Sequence, residues 1–267
     1  DGLKFLFLPR FDELTASAIV LALGHSFFTL SLGMGTMITY GSYLNKKQNL
    51  LNSALWVIAL DTAIALLAGT AIFTSVFAAG ADPDGGPGLI FYILPSIFPQ
   101  LAYGAIWGTL FFTLLFMAAL TSAISILEVV TAYFIDQKGW SRNRATIQFG
   151  AIITIVGVFC SFSMGGGINI AEYFGSSFQH YLGETFFDVM DNLSSKYMLP
   201  FGGMMTAIFI LVRWGVPSFL SEFGGENLDS EKNRLVVKIL CFIAAGVAGF
   251  ILLNELIETI TGNAIIG

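Results

Sequence analysis

An aspartate lies in the middle of a long apolar stretch, where a charged side chain is costly. Asp61 falls within residues 50–79, which contain no other charged residue. A carboxylate at the centre of a membrane-spanning helix costs at least ~2.5 kcal/mol and marks a functional site by default. Lys196 and Arg213 stand at the ends of apolar segments, from which their charged heads can reach the interface. The sequence therefore favours Asp61 as a cation ligand over Asp61 as the partner of a buried base.

A second apolar segment is interrupted at its centre by small residues. Within residues 22–43, Ser31, Gly33 and Gly35 alternate with larger side chains. Each glycine lowers helix stability by up to ~1 kcal/mol relative to alanine. A break at the bilayer midplane is tolerated only beside a cavity or a binding site, because lipid cannot satisfy the freed backbone groups. With the Thr29 hydroxyl nearby, the pattern fits a broken helix that holds a polar ligand or ion, and equally a continuous helix with close packing.

A third group of small and hydroxyl-bearing residues lies within residues 116–126. Ala118, Thr121, Ser122 and Ser125 fall on or near one face of a helix. A sodium ion prefers about five or six oxygen ligands, and hydroxyls and free carbonyls suit it. The same spacing permits close helix packing, with hydroxyls bonded back to carbonyls one turn earlier. On this pattern alone, the packing interpretation is preferred.

Two further titratable residues lie in apolar surroundings. Glu128 is nearer the end of its segment and is predicted to bond to backbone or to a gate, not to an ion. His25, one turn before Thr29, could exchange a proton, but a core histidine with satisfied hydrogen bonds is preferred. No pattern points to an enzyme, because the sequence lacks a nucleophile elbow, a phosphate-binding glycine loop and a metal-spaced His/Cys pair.

The composition shows the kind of protein that must position these residues. Of 267 residues, 55% are hydrophobic and 11% are charged, and the mean hydropathy is +0.78. These values predict a polytopic membrane protein, and the net charge of -6 gives no indication of nucleic-acid binding. A spanning helix needs about 20 apolar residues. Spans are predicted at 16–44, 50–79, 101–135, 145–162, 198–212 and 235–253.

Basic residues are confined to alternate loops. Residues 46–47, 138–144 and 213–238 carry the bases, whereas 82–84 and 172–188 are acidic. The positive-inside rule places the basic loops in the cytoplasm, so both ends of the chain are predicted to lie outside. Because no signal peptide is recognisable, we expect further spans before residue 1.

Two stretches resemble one known family. ALGHSFFTLSLGMGTMITYGSYL at 22–44, followed by LTSAISILEVVTAYFID at 120–136, is similar to the sixth and eighth helices of the neurotransmitter:sodium symporters. This family includes LeuT-like bacterial sodium-dependent amino-acid transporters. The resemblance implies an all-α polytopic membrane protein, namely the second inverted repeat of the LeuT fold with a discontinuous first span, plus one extra helix. The six spans resemble helices six to eleven, and helices one to five are then missing from this chain.

The same resemblance divides the chain into parts. Residues 1–15 are expected to form an extracellular loop, and residues 16–215 the second inverted repeat, with its first span broken near 31–35. Residues 216–234 are expected to form a cytoplasmic loop, and residues 235–267 the final span with an extracellular tail.

The resemblance also implies a role for individual positions. The implied substrate-binding residues are Phe28, as a lid over the substrate, Thr29, Ser31, Met34, Ser122 and Ile126. One sodium site is implied at Thr29 and Asp61, and a second at the Ala118 carbonyl, Thr121 and Ser122. The implied gates are Tyr43 and Asp136 on the cytoplasmic side and Asp191 on the extracellular side.

Two positions depart from the family pattern. His25 stands where relatives usually carry Gln. Ala65 stands where chloride-dependent members have Ser and chloride-independent members have an acid. A complete chloride site is therefore not expected.

The predicted function is sodium-coupled symport of a neutral, hydrophobic amino acid by alternating access, with this chain as the C-terminal half of the transporter. The expected partners are the amino-acid substrate, two sodium ions, the lipid bilayer and the missing first five helices, in cis or as a companion chain. Nucleic acid is not expected to bind, and the expected location is the bacterial inner membrane, as a multi-pass protein. The alternative is a non-transporting partner or regulatory half-protein. A channel is disfavoured because no rings of like charge are recognisable.

Overall fold

The computed structural model describes residues 1–45, 48–83, 88–164, 185–224 and 230–261, and helices dominate them. The α-helices are α1 (Gly2–Phe7), α2 (Ala16–Thr29), α3 (Thr36–Tyr43), α4 (Leu50–Ala78), α5 (Leu94–Ile97), α6 (Gly104–Lys138), α7 (Arg142–Met164), α8 (Phe186–Asn192), α9 (Leu199–Phe209), α10 (Val216–Gly224) and α11 (Glu231–Thr261). A π-helical turn at Leu193–Met198 joins α8 to α9, and another at Ile210–Trp214 extends α9. A π-helical turn at Leu89–Ile93 and a 3-10 turn at Phe98–Gln100 flank α5.

Among the described residues, five helices are long and apolar enough to cross a membrane. They are α4, α6, α7, the continuous run Phe186–Trp214 and α11. The remaining predicted span is divided between α2, of 14 residues, and α3, of 8 residues. Neither piece alone can cross a hydrocarbon core of about 30 Å. The predicted all-α membrane fold with a discontinuous first span is confirmed.

Capping residues fix where two helices begin. The Thr15 hydroxyl accepts a hydrogen bond from the Ala18 N–H at 3.1 Å and starts α2. Thr185 and Asp188 form a capping box, with each side chain accepting from the other residue's backbone N–H at 3.1 and 3.0 Å. This box starts α8 inside the stretch 172–188 that the sequence analysis treated as a loop, so that boundary is wrong.

Two boundaries near the end of the chain also differ from those predicted. The predicted loop 216–234 contains α10, because Gly215 has φ +87 and ends the preceding helix, and Val216 and Leu220 are then buried. Helix α11 begins at Glu231 and continues to Thr261, past the predicted span. Its last turns are held by the Lys196–Glu255 ion pair at 3.7 Å and a Tyr197–Thr259 hydrogen bond.

The predicted orientation in the membrane rests on the charges of alternate loops. Five of those charged residues lie outside the described part of the chain: Lys46, Lys47, Asp84, Glu172 and Glu184.

The chain forms two compact units, Asp1–Leu14 with Leu55–Ile124, and Thr15–Ala54 with Ser125–Gly267. In the first unit, the Phe5 ring of α1 packs against Phe73 and Phe77 of α4, with ring centroids 5.1 and 5.3 Å away. In the same unit, Phe98 packs on Phe111 and Phe112 of α6.

The second unit contains the broken span and is built around α9. Helix α9 packs along α11, and both contribute buried side chains, among them Ala207 and Ile251. The broken span also contacts α9. The second unit therefore determines how the break is held.

Candidate functional site

The break between α2 and α3 is made by residues with left-handed backbone angles. Ser31, Gly33 and Gly35 have φ values of +53, +80 and +86. Glycine adopts this region without steric cost, whereas for other residues it costs roughly 1–2 kcal/mol. The Leu32 N–H bonds to the Phe27 carbonyl at 2.8 Å, which closes the end of α2. A broken helix is therefore confirmed, and the alternative of a continuous helix is wrong.

The same glycines also pack against α9. A Cβ added at Gly33 would lie 2.2 Å from the Leu199 carbonyl oxygen, and one added at Gly202 would lie 2.0 Å from the Gly33 carbonyl oxygen. A Cβ at Gly203 would lie 2.3 Å from the Phe27 ring. The broken segment is thus held by backbone-to-backbone contact that no larger residue permits.

Four predicted substrate-binding residues lie at the break. Phe28 is 52% exposed, Thr29 is exposed, and Ser31 and Met34 are half-buried. The start of α3 also approaches α6, since a Cβ at Gly35 would lie 3.0 Å from Val129 Cγ1. The Tyr40 hydroxyl bonds to Ser125 Oγ.

The fifth predicted substrate residue, Ile126, lies beside this contact. Ile126 is exposed and follows Ser125 in the stretch of α6 that α3 touches. The second unit therefore brings the helix segment with Ile126 to the broken span. Ser122 is exposed and belongs to the first unit.

Asp61 lies well inside α4 and is half-buried. Within the described part of the chain, its carboxylate forms no hydrogen bond or ion pair. A carboxylate at membrane depth needs a positive partner. Asp61 is thus chemically suited to a cation that the described residues do not supply.

The predicted second ion site lies on an unbroken helix. The Thr121 hydroxyl donates a hydrogen bond to the Ala118 carbonyl at 2.8 Å. Because the hydroxyl proton is used in this bond, the lone pairs of Thr121 Oγ1 can face a cation, and the carbonyl has a second lone pair. Ala118, Thr121 and Ser122 are all exposed. The three oxygens are accessible on the helix surface.

A charged cluster joins α3, α6 and α7 near the end of the broken span. The Tyr43 hydroxyl donates to Glu128 Oε1 at 2.6 Å. Arg142 donates to both carboxylate oxygens of Glu128, at 2.8 and 3.0 Å. Bidentate pairing of this kind is strong and geometrically specific. The structure brings the predicted gate residue Tyr43 into this cluster, and Glu128 has the internal role expected of it.

Two features near the Tyr43–Glu128 cluster differ from the sequence-based predictions. Asp136 is exposed and forms no ion pair with described residues, so the structure does not bring it to Tyr43. Arg142 was missed as a partner of Glu128. Glu128 itself could have indicated this partner, because an acid within a span needs a positively charged partner. Helix α7 begins with Arg142 and carries Arg144 two residues later.

The predicted extracellular gate residue lines a cavity of about 720 Å³. Asp191 lies in α8, and His25 and Phe28 of α2 line the same cavity. The His25 ring stacks on Phe28, with centroids 6.3 Å apart and 23° between the planes. His25 is exposed, so the expectation of a core histidine is wrong.

The same cavity contains an ion pair that sequence reasoning missed. Lys196 follows Asp191 by five residues and pairs with Glu255 of α11 at 3.7 Å. The sequence analysis left Lys196 free to reach the interface and Glu255 in a tail. The extension of α11 to Thr261 is what brings the two together.

Comparisons with known proteins agree with this architecture. The model of the sodium:neurotransmitter symporter family matches residues 1–262. An uncharacterized sodium-dependent transporter of Bacillus subtilis, YhdH, is 37% identical over 228 residues, which are 85% of this chain and 49% of YhdH. A similar transporter of Haemophilus influenzae is 35% identical over 242 residues, 90% of this chain and 49% of that protein.

A solved structure is also similar. The crystal structure of MhsT in complex with L-phenylalanine superposes with a TM-score of 0.80 and 43% sequence identity, over 94% of this chain and 55% of MhsT. The chain spans about half the length of the curated relatives it matches. The family match, the relatives and the broken span agree, and the chain belongs to the sodium:neurotransmitter symporter family.

Proposed function

We propose that this chain is the C-terminal half of a bacterial inner-membrane symporter that couples sodium entry to uptake of a neutral, hydrophobic amino acid. The break from Leu30 to Gly35 is the observation that carries the proposal. The first N–H groups of α3 have no carbonyl one turn earlier to bond to, whereas the last carbonyls of α2 are largely capped by the N–H groups of Leu30, Ser31 and Leu32. Half-helix ends of this kind present partial charges to ions and polar ligands at membrane depth.

The side chains beside the break support a hydrophobic substrate. Phe28, Met34 and Ile126 are apolar, and the hydroxyls of Thr29 and Ser31 are the polar groups beside them. A pocket of this composition favours an apolar side chain over a charged one. The similar protein MhsT was crystallised with L-phenylalanine, which supports the same class of substrate for this chain.

Two sodium ions are proposed as co-transported substrates. Thr29 and Asp61 offer side-chain oxygens to one ion, and Ala118, Thr121 and Ser122 offer three oxygens to the other. Hard cations prefer about six oxygen ligands, so each ion needs ligands from elsewhere. The substrate carboxylate and helices one to five are the proposed sources.

The exposure of α6 supports a missing first half. Phe116 is 64% exposed and Ile124 is 57% exposed, and every residue from 116 to 124 is classed as exposed, on all sides of the helix. The candidate sodium ligands lie within this stretch. Exposed hydroxyl and carbonyl oxygens on such a helix leave room for covering helices to complete the coordination of the proposed ion.

The proposed mechanism is alternating access, in which one repeat moves against the other around a site at the membrane midplane. The Tyr43–Glu128–Arg142 cluster would hold the cytoplasmic side closed, and Asp191 would act on the opposite side. Two sodium ions entering at about −100 mV release roughly 4.6 kcal/mol. A tenfold sodium gradient adds roughly 1.4 kcal/mol per ion, so the total of ~7 kcal/mol could concentrate a zwitterion about 10⁵-fold.

Uptake measurements test this proposal. The full-length protein that contains this chain should be reconstituted into vesicles and given radiolabelled L-phenylalanine, with and without an inward sodium gradient. We expect accumulation that requires the gradient and that persists when gluconate replaces chloride, because Ala65 has no group to bind chloride. Uptake that does not depend on the sodium gradient would contradict the proposal of sodium-coupled symport. Binding without uptake would favour the alternative of a regulatory half-protein.

A further inference from the structure

An apolar groove runs along the spanning helices of the second unit. Its volume is about 500 Å³, and α2, α3, α9, α10 and α11 contribute to its lining. One wall is formed by Ala207 and Ile210, and the facing wall by Val237, Cys241 and Ala244. The hydroxyl of Thr206, also in the lining, donates to the Gly202 carbonyl at 2.8 Å and needs no further partner.

The groove is bounded at one end by the short helix α10. Phe219 and Phe223 of α10 line the groove. Ser221 and Glu222 of the same helix are exposed. A short helix with an aromatic apolar face and a polar face is typical of a helix that lies in the membrane interface. The groove therefore has an amphipathic helix in its lining beside the apolar faces of spanning helices.

Basic residues follow both walls at the α10 end. Arg213 comes three residues after Ile210, and Arg234 comes three residues before Val237, with Lys238 directly after Val237. Arg213 is exposed and forms no hydrogen bond or ion pair with the described residues.

Carboxylates are present at this end as well. Glu222 of α10 and Glu231 at the start of α11 are both exposed. They reduce the positive potential at the interface, so any preference for an anion must come from direct contact with a basic side chain. Arg213 and Lys238 are both exposed and form no hydrogen bond or ion pair with described residues, so both are available for such contact.

We propose that this groove binds one acyl chain of an anionic phospholipid, with the lipid phosphate on Arg213 and Lys238. Lipid tails are as apolar as the groove, so the tail alone gives no hydrophobic gain over the bilayer. Selective binding must therefore come from the headgroup. A guanidinium matches a phosphate with two parallel hydrogen bonds. The choline of phosphatidylcholine offsets its phosphate charge, whereas phosphatidylglycerol leaves that charge uncompensated, so basic residues favour the anionic lipid.

The broken segment also lines the groove. Ser31, Gly33 and Gly35 belong to its lining. A bound acyl chain would therefore contact the back of the segment that separates α2 from α3. The lipid would fill space beside the one part of the span that has no regular helix.

Photolabelling of the full-length protein tests this site. The protein should be reconstituted in phosphatidylcholine vesicles with a trace of phosphatidylglycerol or of phosphatidylcholine that carries a diazirine on one tail. We expect mass spectrometry to locate the label within 206–210 and 237–244. The anionic probe should label these residues about fivefold more than the neutral probe, the effect of one basic residue near a lipid headgroup.

Four variants identify the contributions of headgroup and tail. Arg213→Gln should reduce labelling by the anionic probe to the level of the neutral probe, and Ala244→Phe should block both probes by filling the groove. Arg144→Gln is the matched control, because Arg144 stacks on Trp140 of a different hairpin at 4.2 Å. Glu222→Gln should not lower labelling by the anionic probe. Equal labelling by both probes, or no effect of Arg213→Gln, would overturn the proposal. Absence of label from the groove would show that another helix of the protein covers it.

Discussion

Two stretches proposed to bind sodium offer their oxygens in opposite ways. Between Thr29 and Thr36 the backbone leaves the helical region, with φ values from +53 to +86 at Ser31, Gly33 and Gly35. Between residues 116 and 126, α6 stays helical, and the Thr121 hydroxyl bonds to the Ala118 carbonyl at 2.8 Å. The first stretch frees whole backbone groups, whereas the second offers side-chain oxygens and a shared carbonyl.

The two stretches also differ in what holds them. The broken segment lies against α9 so closely that a Cβ at Gly33 would clash with the Leu199 carbonyl. In the intact stretch, residues 116–124 are exposed. The comparison teaches that the broken segment gets its shape from contacts within this chain, whereas the proposed helical site is accessible and is proposed to be completed by other helices.

Substitution of Gly33 should have the largest effect on stability and uptake, because it disrupts the packing of the broken segment against α9. Gly33→Ala places a Cβ 2.2 Å from the Leu199 oxygen at a φ of +80, and we expect the free energy of unfolding to fall by at least about 2 kcal/mol. Thermal unfolding and uptake by the full-length protein measure this change. Gly41→Ala is the control, because a Cβ at Gly41 meets nothing within 4 Å. Equal stability of the two variants would show that the contact with α9 is unimportant.

Removal of Asp61 should abolish sodium-stimulated uptake without unfolding the protein. Asp61→Ala takes away a charged ligand that has no partner among the described residues. The proposed ion then loses the one full negative charge that this chain gives it. Sodium dependence of uptake is the measurement, and Thr70→Val in the same helix is the control, since the Thr70 hydroxyl bonds to the Leu66 carbonyl. Unchanged sodium dependence would mean that Asp61 has another role.

Loss of one hydroxyl from the intact helix should have a smaller effect. Thr121→Val removes one neutral oxygen and leaves the helix unbroken, so we expect sodium affinity to fall at least roughly tenfold while maximal uptake is kept. Thr113→Val removes a hydroxyl that bonds to the Thr109 carbonyl on the same helix, and it should leave the sodium affinity unchanged. The same affinity in both variants would place the second ion elsewhere.

The smallest expected effect concerns substrate size. Met34→Phe puts a stiff ring where an adaptable side chain lies, and the ratio of tryptophan to alanine uptake should fall roughly tenfold. Met37→Phe, three residues later and exposed, should leave the ratio unchanged. If Met34→Phe also leaves the ratio unchanged, Met34 does not contact the substrate.

The break could be predicted from sequence, and its support could not. Gly33 and Gly35 within an apolar segment indicate a local loss of helix, since backbone propensity is a property of neighbouring residues. The contacts of Gly33 with Leu199 and Gly202 join residues about 170 positions apart, which no local pattern reveals. The residue pattern therefore left a broken and a continuous helix as equal alternatives, the family resemblance favoured the break, and neither indicated the helix that holds it.

The charged clusters show the same limit. Glu128 stands out as an acid inside a span, yet its partners Tyr43 and Arg142 lie on two other helices. Lys196 and Glu255 were assigned to span ends because hydropathy marks where a segment becomes polar, not where a helix stops. Asp61 stands out in the sequence as the one acid of an apolar segment. For Thr121 the residue pattern preferred a packing role, and Tyr43 carried no signal of its own, so the resemblance to a known family supplied the site roles of both.

Calorimetry of ligand binding tests the central claim that this chain contributes half of a shared site. The chain alone and the chain joined to helices one to five should each be titrated with L-phenylalanine, with sodium and with potassium in its place. The account predicts sodium-dependent binding by the joined protein and none by the chain alone, because each proposed ion has only two or three of about six oxygen ligands here. Micromolar, sodium-dependent binding by the chain alone would contradict it.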